Sequence, residues 1–165
     1  MTVSPSRIPV LIGIGQTIER EAIVDVIDLA SRAALAAFED APGLVDRIQR
    51  VTMVGISFSV VSRSPASRLV ERLGLDKEAV DCETTTPGGN TPQWLVNRAC
   101  EEISKGQLET TLICGAEATR SMRLADPDSD FLTAARSNMQ ESEEKADRVV
   151  GASVRGMLGQ AEIQA

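Results

Sequence analysis

The chain has 165 residues, 42% of them hydrophobic before its 12 glycines are counted, which is enough for one domain with a buried core or for one half of a larger two-domain enzyme. Its 17 basic and 24 acidic side chains give a net charge of −7 and a sequence pI ≈ 4.7, so no basic face can form that would bind nucleic acid. Histidine and tyrosine are absent, which removes a Ser-His-Asp triad, histidine-based acid/base work and every histidine-containing zinc set from this chain.

The opening MTVSPSRIPVLIGIG lacks the order of charges, apolar core and small residues that marks a secretory leader, and no run approaches the eighteen or so apolar residues that span a bilayer. A cytoplasmic protein with no membrane partner is expected. Cys82, Cys100 and Cys114 form no C-x-x-C pair and read as buried thiols.

From Arg7 to about Thr119 short apolar runs alternate with helical patterns, the signature of a mostly parallel sheet covered by crossover helices. Pro9 to Gly15 (PVLIGIG) is nearly continuous in apolar character and is predicted to be a central strand. Ala22 to Phe38 places Ile23, Val26, Ile27, Ala30, Ala34, Ala37 and Phe38 at helical spacing, and Pro42-Gly43 ends the pattern. Arg50 to Ser59 is the second predicted strand. Ser64-Pro65 then starts a helix with serine at the N-cap, Ala66, Leu69, Val70 and Leu73 on one face, and Gly74 as its stop. Ala79 to Thr86 (AVDCETTT) is strand-like. Thr91-Pro92 repeats the same start, with Leu95, Val96, Ala99 and Ile103 on one face and Gly106 at the end. Thr110 to Gly115 completes a β-α-β-α-β-α-β order, so the fold class is α/β. Residues 7–119 are expected to form this domain, and 120–165 an excursion from the sheet that ends in a fragment.

Two motif-like stretches have plain readings. Gly13-Ile14-Gly15 follows a strand pattern as a dinucleotide fingerprint does, but Ile18 stands where the third glycine is needed. Asp126, Asp128 and Asp130 resemble the start of a calcium loop, yet Phe131 and Ser137 occupy the glycine and closing glutamate positions, so an acidic turn is expected and no metal. Glu141, Glu143 and Glu144 read as a solvated face. More informative is Thr84 to Leu95 (TTTPGGNTPQWL), a strand running through a Pro-Gly-Gly turn into a helix. Such a turn presents backbone N–H groups at the carboxyl edge of a sheet, where open α/β folds place ligands and nucleophiles, although a tight structural turn would look the same.

VLIGIGQT, the block GGNTPQWLVNRACEEISKGQLETTLICGAEA and the spacing of the helices between them resemble the N-terminal half of thiolases, in the sterol-carrier-associated, acetyl-CoA acetyltransferase-like branch, over about residues 7 to 120. RGMLGQAEIQA is similar to stretches that precede the second half of such proteins. The resemblance implies a nucleophilic cysteine at the turn into the third helix, where a helix start lowers a thiol pKa. Counting back from Gly106, that position falls on Gly89, or on Gly88 if the turn is shifted by one. Cys82 lies too early and Cys100 too far inside the helix. The catalytic set is therefore empty, and Gly88, Gly89, Asn90 and Thr91 are the expected substrate-binding residues. Cys114 to Glu117 matches a Gly-Gly-x-Glu stretch of the family, with Cys114 as a small buried residue and Glu117 as an organiser of the site or a structural acceptor.

What the resemblance further implies is an acyl-CoA or sterol-side-chain-CoA substrate, no cofactor apart from the coenzyme A of that substrate, and a homodimer formed partly through the predicted strand at 79–86. The family's remaining catalytic loops belong to a second half outside this chain. The function expected is that of a thiolase-family acyltransferase of acetyl-CoA acetyltransferase type. The alternatives are a non-catalytic acyl-CoA-binding or partner-binding module, and an acyl-CoA carbon–carbon lyase subunit that works with a small partner domain. A face left uncovered by the missing half predicts self-association.

Overall fold

A computed structural model describes residues 4–59, 64–86, 88–126, 128–130, 132–133 and 147–151. Among these, four strands form one sheet: β1 (Arg50–Met53), β2 (Asp81–Thr85), β3 (Thr111–Cys114) and β4 (Arg148–Val150). Their order is β3-β1-β2-β4, and every pairing is parallel. The helices are α1 (Val26–Asp40), α2 (Pro65–Arg72), α3 (Thr91–Lys105) and α4 (Thr119–Leu124), with single 3-10 turns at Pro5–Arg7 and Val45–Arg47.

Alternation along the strands sorts the two faces of the sheet. Val51, Met53 and Cys114 point to the α1 and α2 side, where Val26, Ile27, Ala30, Ala66, Leu69 and Val70 complete the apolar core. The small residues Ala30 and Ala34 lie in the buried stripe of α1, as the helical spacing predicts, and the Asp25 carboxylate caps that helix by accepting from the Ile27 amide at 2.7 Å. Arg50, Thr52, Thr111 and Ile113 face α3, across from Leu95 and Arg98. Gly106 ends α3 in the left-handed conformation at φ 71, its amide reaching back to the Glu102 and Ile103 carbonyls.

The structure corrects the sequence reading at the first predicted strand. Residues 9–15 are not a central strand; β1 takes the centre, flanked by β3 and β2, and leaves no slot between them. The run instead lies along α1 so closely that a β-carbon at Gly13 or Gly15 would collide with the carbonyl oxygens of Ala37 or Ala33. The Ile14 amide fixes it there through the Asp40 carboxylate at 3.2 Å. The predicted strand at 50–59 also stops early, at Met53, because the chain beyond turns to meet the loop after β3.

Both helix starts differ in detail from the predicted device. Ser64 occupies the N-cap of α2 but makes no side-chain capping bond. Asn90, one residue before Thr91, occupies the N-cap of α3. The segment 120–165 supplies α4, which begins at Thr119, and also β4, which pairs with the outer edge of β2 through Glu83↔Arg148, Thr84↔Val149 and Thr85↔Val150. Residues 134–146 and 152–165, with Glu141, Glu143, Glu144 and the RGMLGQAEIQA stretch, lie outside the described residues.

Candidate functional site

Three loops leave the carboxyl edge of the parallel sheet together, after β1, β2 and β3. Parallel strands bring all their C-terminal ends to one side, so residues far apart in sequence meet there. Glu117, after β3, closes over the loop after β1: its carboxylate accepts from the Ser57 amide at 2.6 Å, from the Phe58 amide at 3.2 Å and from the Ser59 hydroxyl at 2.8 Å. The Ser59 hydroxyl oxygen in turn accepts from the Ala118 amide at 2.6 Å. Glu117 is thus a structural acceptor that organises this edge. The Thr85 hydroxyl, at the end of β2, accepts from the Gly55 amide at 2.9 Å and ties the second loop to the first.

Gly88, Gly89, Asn90 and Thr91 form the turn from β2 into α3, and the structure brings all four together. The Thr91 amide donates to the Gly88 carbonyl at 3.1 Å, closing the turn, and the Trp94 amide donates to Asn90 at 3.0 Å, opening the helix. Thr91 is buried, whereas the other three are exposed. The two glycines differ. A β-carbon at Gly88 would sit 2.9 Å from the Thr91 hydroxyl and 3.3 Å from the Asn90 side-chain oxygen, while one at Gly89 would meet nothing within 4 Å. Neither has a positive φ. Position 89 therefore has room for a side chain and position 88 does not. None of the four carries a titratable group, so the turn offers backbone donors, a hydroxyl and an amide, together with the positive end of a 15-residue helix.

The cysteines are not at this turn. Cys114 is buried below the edge, its thiol directed to the Ala30 carbonyl at 3.6 Å, and burial pushes its pKa up to about 11 despite the bond from the Gly115 backbone. It is an inert thiol at neutral pH, as its reading as a small buried residue requires. Cys82 is half-buried on β2 and Cys100 half-buried on α3. Asp126 and Asp128 make the expected acidic turn, with the Asp128 amide donating to the Asp126 carboxylate at 3.0 Å. Among the described residues no group of three or more cysteines, aspartates and glutamates is placed to hold a metal ion.

One cluster under this site was not anticipated. Glu83, at the middle of β2 and fully buried, accepts a two-pronged bond from Arg98 of α3 at 2.8 and 2.9 Å and a bond from the Thr52 hydroxyl at 3.1 Å. Arg50 approaches it to 3.4 Å, and Arg148 of β4 is bonded to it as well. Glu102 joins Arg98 at 3.0 Å and also bonds Arg50. Arg98 lies 5.8 Å from the centre of the Trp94 ring, one turn away from the Gly89 turn. The bonds that Arg98 donates to Glu83 raise its pKa against the opposing effect of burial. The signal in the sequence was an ionisable residue in a strand interior, together with the Arg98 and Glu102 pair at helical spacing. This cluster locks the middle of α3 onto the sheet and so fixes where the Gly88 to Thr91 turn points.

An open parallel sheet with a helix-start turn at its carboxyl edge is a substrate-site architecture of α/β proteins. The structure resembles that of a monomeric SCP2-thiolase like protein type 1 from Mycobacterium smegmatis, with a TM-score of 0.53 and 25% sequence identity over 69% of this chain and 24% of that one. The chain has a thiolase-like α/β fold of the SCP2-thiolase kind, and it spans about a quarter of the length of that structure. The sequence matches no family model and no curated protein. Among the described residues no helix is long and apolar enough to cross a membrane.

Proposed function

We propose that the chain is the N-terminal part of a thiolase-type protein acting on an acyl-CoA, with Gly89 at the position where an acylated cysteine would stand. The observation that carries this is the turn at Gly89. It stands at the start of α3 on the carboxyl edge of a thiolase-like sheet, and it has open space where a nucleophile's side chain would project. The role of Gly88 to Thr91 in this reading is to bind the thioester carbonyl through backbone N–H groups and the helix N-terminus. Coenzyme A enters as part of the substrate, and no other cofactor is required. The protein acts in the cytoplasm on an acyl-CoA or a sterol-side-chain-CoA. Acyl transfer of the acetyl-CoA acetyltransferase type belongs to the assembled protein, since this turn holds neither a nucleophile nor a base.

A second reading is favoured by that same bare turn: a module that binds acyl-CoA without turning it over, or a carbon–carbon lyase subunit that draws its acid/base groups from a small partner domain. The homodimer that the resemblance implies would use the outer edge of β2. In this chain β4 occupies that edge, so such a dimer requires β4 to leave.

Calorimetric titration with acetyl-CoA and a longer acyl-CoA tests the binding shared by both readings. Saturable heat that is weakened at least tenfold by Gly89→Leu, which fills the open space without touching the fold, is the expected result. No heat with either ligand, or binding indifferent to Gly89→Leu, removes the turn as the site. In a background lacking Cys82 and Cys100, Gly89→Cys should give a thiol whose alkylation titrates at least about one pH unit below an unperturbed cysteine. A rate profile equal to that of free cysteine would show that position 89 is not at the helix start where a thiolate is stabilised.

A further inference from the structure

We propose that residues 147–150 are a detachable clamp on the binding turn: their docking on β2 and the binding of an acyl-CoA at Gly88 to Thr91 favour one another, a coupling that rests on the acyl-CoA reading of that turn. The clamp reaches the chain on both sides of the turn. On the side that enters it, Thr84 and Thr85 pair with Val149 and Val150, and the Thr84 hydroxyl donates to the Asp147 carboxylate at 2.6 Å. The Thr85 hydroxyl oxygen accepts from the Gly55 amide at 2.9 Å, so the same end of β2 also holds the loop after β1. On the side that leaves the turn, Arg148 bonds Asp81 at 2.7 Å and also bonds Glu83, whose carboxylate takes both prongs of Arg98 from α3 at 2.8 and 2.9 Å.

β4 is three residues long, and Arg148 and Val149 are exposed, Val149 to 72%, so apolar burial holds it weakly. Its main anchor is one buried carboxylate. Besides Thr84, Asp147 accepts from the Ala66 amide at 2.7 Å, the Ser67 amide at 3.0 Å and the Ser67 hydroxyl at 2.6 Å. Four donors from α2 and β2 converge on this single side chain, so a movement that breaks one bond weakens the rest, and the strand is either seated or released. Release is local. When Arg148 departs, Glu83 keeps Arg98 and the Thr52 hydroxyl at 3.1 Å, so the buried charge stays satisfied and the core stays closed.

In the released state Thr84 and Thr85 lose their partners where β2 runs toward the turn, and the backbone donors of Gly88 to Thr91 are held less firmly. A ligand that uses those donors binds the seated state more tightly. By linkage it then stabilises the seated strand by the same factor. That reciprocity separates a clamp from a passive brace, which supports the turn but does not respond to ligand.

Hydrogen exchange of the full chain, with and without saturating acetyl-CoA or a longer acyl-CoA, tests the coupling beside calorimetric affinities. Bound acyl-CoA should slow exchange of amides 148–150 by about fivefold or more, and Asp147→Ala should weaken its binding by the same factor to within about twofold. Val149→Pro is a second variant, at an exposed position, that breaks the pairing of β4 and leaves the start of α2 as it is. It should weaken binding likewise. Without ligand, both variants should speed exchange of amides 88–91. Heat of binding in the unmodified chain with exchange at 148–150 indifferent to ligand overturns the coupling and leaves the acyl-CoA reading standing. So does an affinity, or an exchange at 88–91, that neither variant changes. No heat with either ligand removes the turn as the site and the coupling with it.

Discussion

Glu83 is fully buried in a parallel strand, a position where an isolated carboxylate would be very costly. It is tolerated because Arg98 and Thr52 satisfy its oxygens, with Arg50 and Arg148 close by. A buried ion pair of this kind adds little net stability compared with well-packed apolar residues, but removing one partner leaves the rest uncompensated. Glu83→Gln keeps the shape and deletes the charge among three arginines. It should destabilise the fold by roughly 3 kcal/mol or more, read as a lower urea midpoint at constant slope. Arg98→Met in the same chain should recover part of that loss, because it removes one of the stranded charges. A double-mutant cycle with no coupling would mean that Glu83 and Arg98 do not act as a pair. Acyl-CoA affinity should fall with Glu83→Gln even where the protein remains folded, since α3 carries the turn and is held by this bond.

At the scale of elements, β4 is a three-residue strand held mainly by the residue that precedes it. The Asp147 carboxylate, buried, accepts from the Ala66 amide at 2.7 Å, the Ser67 amide at 3.0 Å, the Ser67 hydroxyl at 2.6 Å and the Thr84 hydroxyl at 2.6 Å. It thereby caps α2 from 80 residues away in sequence, the role that the sequence assigned to Ser64, whose hydroxyl oxygen accepts from the Asp147 amide at 3.3 Å instead. Asp147→Ala should cost about 1 to 2 kcal/mol through the lost cap and should also release β4, so that amides 148–150 exchange much faster than those of β1. Loss of stability without faster exchange at 148–150 would mean that backbone pairing alone holds the strand.

These two cases mark what the sequence could show. α1, α2 and α3 and the strands β1, β2 and β3 were legible because each carries its own periodicity and its own stop at Gly43, Gly74 or Gly106. The turn at Gly88 to Thr91 was legible because a Pro-Gly-Gly run between a strand and a helix pattern has a local signature. β4 was not: Arg148, Val149 and Val150 are too few to show alternation, and what seats them is a carboxylate bonded to α2 and β2. Residues 9–15 failed in the opposite direction. Their composition is that of a strand, but a strand requires a neighbour, and β3 and β2 already flank β1.

For the whole molecule, the ionisable groups set two limits to stability with pH. Two short bonds from the Glu21 and Ala22 amides, aided by Arg32, hold Glu19 down at about 2. Burial pushes Asp81 up, but its bonds to Arg148 and Arg50 outweigh that and hold it below the ordinary carboxylate value. Both carboxylates therefore bind protons more tightly in the unfolded chain. Their contribution is present above the unfolded carboxylate range and is lost as pH falls through the folded values. Cys114 acts in the reverse sense. Its folded pKa, about 11, lies above the ordinary 9.0, so the folded state keeps a proton that the unfolded state gives up, and stability falls as pH rises from 9 through 11. Two pH units correspond to about 2 to 3 kcal/mol at the top of that window. Urea midpoints measured across pH should thus form a plateau from about 5 to 9 with a fall on each side. Cys114→Ala should flatten the alkaline fall and leave the acid one in place, because the thiol ends β3 whereas Glu19 precedes α1 and Asp81 begins β2, so that they titrate independently. An alkaline fall that persists unchanged in Cys114→Ala would show that the thiol is not what limits the fold there.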